Sequence, residues 1–90
     1  PGDLLLTISS SGDSENVVRA VSWAKQNEIS VVALVGFSGG RCKSLADAVV
    51  HVAADNYGVV EDVHQSIMHI LTQYLRQSMM EPDKIGQFRF

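Results

Sequence analysis

Apolar positions come in short dense runs separated by polar turns. Leu4-Leu5-Leu6-Thr7-Ile8 is nearly continuous, as a strand buried on both faces requires. Ser30 to Val35 repeats the signal, and Val49-Val50-His51-Val52-Ala53 repeats it a third time. Between the runs the period changes. Val17, Val18, Val21 and Ala24 recur at helical spacing through Gln26, with Trp23 at the edge of that face. Lys43 to Ala48 reads as a short helix. Val59 to about Met79 reads as a long one, with Val60, Val63, Ile67, Ile70, Leu71, Tyr74 and Leu75 on its apolar side. Pro82 stops it, because proline cannot continue the hydrogen-bond ladder. Asp83 to Phe90 has no clear period, and Phe88 and Phe90 point to docking on a neighbour. Strands alternating with helices predict an α/β fold, a parallel sheet flanked by helices.

The turns carry the chemistry. Ser9-Ser10-Ser11-Gly12-Asp13-Ser14 falls between the first strand and the first helix. A helix start presents unpaired N–H groups and the positive end of the dipole, which together favour an anion. Gly12 allows a tight turn, and the serines add neutral donors for phosphate oxygens. A capping loop with no ligand is the alternative, with Ser14 as N-cap. Four serines within six residues exceed what capping needs, which favours phosphate. Gly36-Phe37-Ser38-Gly39-Gly40 follows the second strand but lacks the GxGxxG spacing and the lysine–hydroxyl pair of nucleotide loops. Asp55 and Asn56 are candidate caps for the last helix, and His51 within its strand reads as structural.

That last helix carries Glu61, Asp62, His64 and His69. Residues eight apart are separated by about 80° of rotation, so Glu61 and His69 lie near one face, with His64 and Gln65 on neighbouring rows. A carboxylate and an imidazole can bind Zn²⁺ or share a proton transfer. Judged on the residues alone, a helical histidine among apolar neighbours is more often a hydrogen-bonded core residue.

The segment from Gly2 to Ser14, followed by Asn16-Val17-Val18, resembles the phosphate-binding segment of sugar isomerase (SIS) domains, above all in bacterial phosphoheptose isomerases. The likeness continues through Val31 to Gly36, the Gly39-Gly40 turn, an Ala46-Asp47 helix and the last helix, about residues 2 to 76. It implies a flavodoxin-like three-layer α/β/α fold, with residues 1–81 forming the C-terminal part of one SIS domain and 82–90 a tail. It implies that Ser9, Ser10, Ser11 and Ser14 contact a sugar phosphate. It also implies catalytic or metal-binding roles, with Zn²⁺ as the metal, for Glu61 and His69. The family carries Gln where Glu61 stands and more usually Asn where Asp13 stands. Its members are tetramers with active sites between subunits, and an N-terminal helix supplies a further His and carboxylate. A homo-oligomer is therefore expected here. The 90 residues taken alone are expected to be inactive.

Composition narrows the classes without changing the reading. Hydrophobic residues make up 46% and charged residues 19%, an ordinary globular balance. A net charge of −3, with no basic cluster beyond Arg41 and Lys43, argues against nucleic acid as a partner. No apolar run is long enough to span a bilayer, so no membrane partner is expected. The single Cys42 suits a reducing, cytoplasmic setting and lacks a partner histidine in a nucleophile pattern. The opening Pro1-Gly2-Asp3 turn, running directly into a strand, leads us to expect residues upstream in the natural protein. Two functions compete: an aldose–ketose isomerase acting on sedoheptulose 7-phosphate, and a non-catalytic SIS module that binds a sugar phosphate to regulate or assemble with a partner.

Overall fold

The computed structural model describes residues 2–87, without the side chain of Ile85; Phe88 and Phe90, and the docking expected of them, lie outside the described residues. Three parallel strands, β1 (Leu4–Ser9), β2 (Ser30–Val35) and β3 (Ala48–His51), pair in the order β1-β2-β3. Leu4 lies opposite Ser30, and Val32 opposite Ala48. Helices α1 (Glu15–Gln26) and α2 (Gly40–Leu45) connect the strands, and α3 (Tyr57–Ser78) follows β3. A short 3-10 turn, Pro82–Gln87, follows the long helix.

Strand alternation divides β2 between two layers. Val31, Ala33 and Val35 pack with Val18, Val21 and Ala24 of α1 and with Cys42 of α2, all fully or nearly buried. The opposite face meets α3 through buried Val60 and His64, so the sheet is sandwiched as the α/β/α expectation requires. No helix among the described residues is long and apolar enough to cross a membrane.

Four expectations change. β1 is not buried on both faces: Leu4 is 63% and Ile8 46% exposed, because β1 is an edge strand whose α3-side face is only loosely covered. α2 begins three residues earlier than Lys43 and ends before Ala46. The Asp47 N–H there bonds the Val31 carbonyl, drawing the chain into extended pairing with the sheet, so Ala46 and Asp47 are not helical. β3 closes at His51 for a related reason: beyond it the chain turns, with Val52 N–H still held by the Val35 carbonyl at 2.9 Å. On α3, only Val60 and His64 are buried, whereas Val63, Ile70, Leu71, Tyr74 and Leu75 stay exposed. Asn56 caps α3, its Oδ1 accepting from Val59 N–H at 3.0 Å.

Candidate functional site

The Ser9–Ser14 loop leaves the C-terminal end of β1, where parallel sheets present ligands. It is a tight turn: Gly12 N–H donates to both the carbonyl and the Oγ of Ser9, each at 3.1 Å. Gly12 has φ +70°, and a Cβ there would lie 1.9 Å from the Gly39 carbonyl oxygen, so only glycine fits. Asp13 N–H donates to Ser11 Oγ at 3.1 Å.

Ser14 occupies the N-cap position, but its side chain makes no capping bond. Its Oγ lies 3.4 Å from Ser9 Oγ instead. The first helical bond runs from Val18 N–H to the Ser14 carbonyl, which leaves the N–H groups of Glu15, Asn16 and Val17 without a protein acceptor among the described residues. Uncapped donors at the start of a 12-residue helix, with four hydroxyls in the preceding turn, are a ready acceptor for an anion.

The Gly36–Gly40 turn buttresses this loop. Gly36 N–H donates to the Ser10 carbonyl at 2.7 Å, and Cys42 N–H to the Gly12 carbonyl at 2.9 Å. Phe37, with φ 48°, is held from its other side: its N–H donates to the Ala54 carbonyl, and the Phe37 carbonyl accepts from His51 Nε2 at 2.6 Å. His51 is structural, as expected. Burial pushes the Cys42 thiol above its ordinary value, the opposite of what a nucleophile needs.

Asp13 turns its carboxylate onto Arg41, which receives no role from the sequence beyond its charge. Arg41 Nε and backbone N–H both reach Asp13 Oδ1, at 2.8 and 3.1 Å. The Arg41 side-chain bond holds the Asp13 carboxyl below the usual carboxylate range.

Beside the loop, Ile8, Glu61, His64, Gln65 and Met68 line a hollow of about 370 Å³ between β1 and α3. Glu61 is exposed to it. His69 is exposed but does not line it, and its ring meets Gln65 Nε2 at 3.4 Å. The structure therefore places Glu61 and His69 on one helix without bringing them into contact. Of the two histidines on α3, His64 is the core one: 2% exposed, with Nε2–H donating to the Val35 carbonyl at 2.9 Å and Nδ1 without a partner among the described residues. Carboxylate and imidazole are donor types that suit zinc, which takes three or four protein ligands. Among the described residues no group of three or more His, Cys, Asp or Glu converges. Glu61 and His69 can supply at most part of such a site.

No protein-family model matches the chain. Individual proteins do. The phosphoheptose isomerase of Cytophaga hutchinsonii is 44% identical over 80 residues, and that of Nitratiruptor 40% over 77. These alignments take in 88% and 86% of this chain. The chain spans about two fifths of the length of these curated relatives (42% and 41%). Among solved structures, a phosphoheptose isomerase from Francisella tularensis superposes with a TM-score of 0.73 at 38% identity, covering 78% of this chain and 40% of that one. One from Neisseria gonorrhoeae gives 0.74 at 32%, covering 77% and 40%.

Proposed function

We propose that this chain, a relative of the phosphoheptose isomerases with their SIS fold over the two fifths it spans, supplies the sugar-phosphate anchor and part of the catalytic site of a phosphosugar isomerase. The observation that carries this reading is the serine turn feeding the uncapped start of α1, one residue beyond Ile8 on the wall of the hollow.

In this reading the phosphate of a ketose phosphate such as sedoheptulose 7-phosphate rests against Ser9, Ser10, Ser11 and Ser14 and the free N–H groups of α1. The sugar extends along the hollow toward Glu61. Isomerisation moves one proton between C1 and C2 while the carbonyl moves the other way. The Glu61 carboxylate, on the wall of the hollow, is suited to take that proton; His69, on the same helix but outside the hollow, is suited by its imidazole to relay one at oxygen. Glu in place of the family's Gln adds a stronger base at this position. Glu61 and His69 would also contribute to a Zn²⁺ site completed by donors outside the described residues. Such an ion supplies polarisation of the carbonyl.

The exposed apolar residues of β1 and α3 support a protein that works as a homo-oligomer, a tetramer by analogy with its relatives, in which another segment or subunit covers this face. A second reading, a non-catalytic sugar-phosphate module, draws on the lack of contact between Glu61 and His69. The deciding experiment is calorimetry of the full-length protein with sedoheptulose 7-phosphate, paired with an isomerase assay. Replacing Ser11 and Ser14 by Ala should weaken binding by about 1.5–3 kcal/mol for each hydrogen bond to the charged phosphate that is removed. Unchanged affinity would end the anchor assignment. Binding without turnover would select the non-catalytic module.

A further inference from the structure

Arg41 spans two loops. Its Nε meets Asp13 Oδ1 at 2.8 Å, and its Nη2 reaches the Asp13 carbonyl at 3.1 Å and Glu15 Oε2 at 3.2 Å. Glu15 in turn takes Arg19 Nε on its other oxygen at 3.3 Å. Two carboxylates and two guanidiniums thus form one connected chain of ion pairs over the mouth of the serine turn, and their charges cancel.

The location matters more than the strength of each pair. An isolated surface ion pair contributes little, and all four side chains are exposed. A bare carboxylate at Asp13, however, would stand inside the turn proposed to hold a dianion, where like charges repel over short distances. Arg41 compensates that charge by pairing with it. It also ties the peptide of Asp13 to α2, at the point where Gly12 and Gly39 already touch backbone to backbone. Its guanidinium binds Asp13 through both side chain and main chain, a geometry that Lys cannot reproduce.

Resting on the reading of the serine turn as a phosphate anchor, we propose that Arg41 is a positioning residue. It clamps Asp13, holds the turn in its anion-accepting shape and neutralises the carboxylate beside the bound phosphate. Asp13 and Arg41 then act as a unit: the acid is tolerated in the anchor only because the base is present.

The test is a double-mutant cycle in the full-length protein, with inorganic phosphate and sedoheptulose 7-phosphate as probes. Arg41→Ala, an exposed position that leaves the core intact, should weaken binding of both probes about tenfold and raise KM while leaving kcat unchanged, the size of effect that one charged hydrogen bond produces. Asp13→Asn alone keeps the acceptor oxygen and should bind nearly as the wild type does. Added to Arg41→Ala, it should restore most of the affinity, because the uncompensated charge is gone. Hydrogen exchange at the Gly12 and Asp13 amides should speed up in Arg41→Ala even without ligand. Normal wild-type binding with an unaffected Arg41→Ala would overturn the clamp alone. A weakening that Asp13→Asn does not relieve would overturn the charge compensation, and with it the claim that the two residues act as a unit. A wild-type protein that binds neither probe would overturn the anchor assignment itself, a separate and recognisable failure.

Discussion

His64 Nε2 donates to the carbonyl of Val35 at 2.9 Å, joining the long helix α3 to the end of the central strand. The carbonyl is an acceptor only, so Nε2 carries a proton, and Nδ1 is buried without a partner among the described residues. His64 and Val60 are the only buried residues of a 22-residue helix, so the attachment of α3 is concentrated within about one turn.

His64→Ala should therefore cost more than its chemistry alone implies. Loss of a buried ring and its hydrogen bond corresponds to about 2–4 kcal/mol. Thermal unfolding should show the drop. Near-wild-type melting would mean that α3 is held elsewhere.

Gly12→Ala should disable the anchor without touching a hydroxyl. The added methyl has to displace the Gly39 backbone, at 1.9 Å, and the φ of +70° is strained for any L side chain. Strain of about 1–3 kcal/mol is expected from the backbone alone. Calorimetry with sedoheptulose 7-phosphate should show binding abolished or reduced at least tenfold, and intact affinity would show that the turn does not form the site.

If Glu61 and His69 serve the reaction, His69→Ala should abolish isomerisation while sugar-phosphate binding persists. Glu61→Gln, whose amide cannot take a proton, should cut isomerisation sharply while sugar-phosphate binding persists, and retained turnover would leave Glu61 a metal-ligand role only. Zinc content measured on the same proteins separates a ligand from a proton carrier. Normal turnover by His69→Ala would return that histidine to a surface role.

Acid should loosen the α1–β3 side of the fold through Asp47. Its carboxylate takes Lys25 and accepts Val31 N–H at 2.7 Å, and the Lys25 bond, then the N–H, hold its pKa below the ordinary 3.8. A depressed carboxylate contributes stability that is complete above 3.8 and lost as pH falls through the lower folded value. Asp47→Asn should flatten the pH dependence of melting below 3.8. An unchanged acid limb would assign the loss to other groups.

The full-length protein should sediment as an oligomer at micromolar concentration. Exposed Leu4, Ile8, Leu71, Tyr74 and Leu75 lie on neighbouring surfaces of β1 and α3, some of them around a second, apolar hollow of about 330 Å³. An active monomer would show that this face is covered from within one chain.

The α/β class, the three strands and the long helix follow from local pattern alone, since β-branched runs and 3.6-residue periods declare their elements without reference to anything distant. The serine turn was legible for the same reason: its residues adjoin in sequence and its chemistry is local. What lay beyond the sequence were relationships between distant segments. Nothing local distinguishes Arg41 from any exposed base, because its meaning comes from Asp13, 28 residues away. Nor does periodicity separate buried His64 from exposed His69, five residues apart on one helix. The difference arises because the buried residues of α3, Val60 and His64, lie where it packs on the end of β2, and that crossing point is decided by tertiary packing. The same geometry made β1 an edge strand despite its apolar run, because burial depends on which neighbours arrive and not on composition.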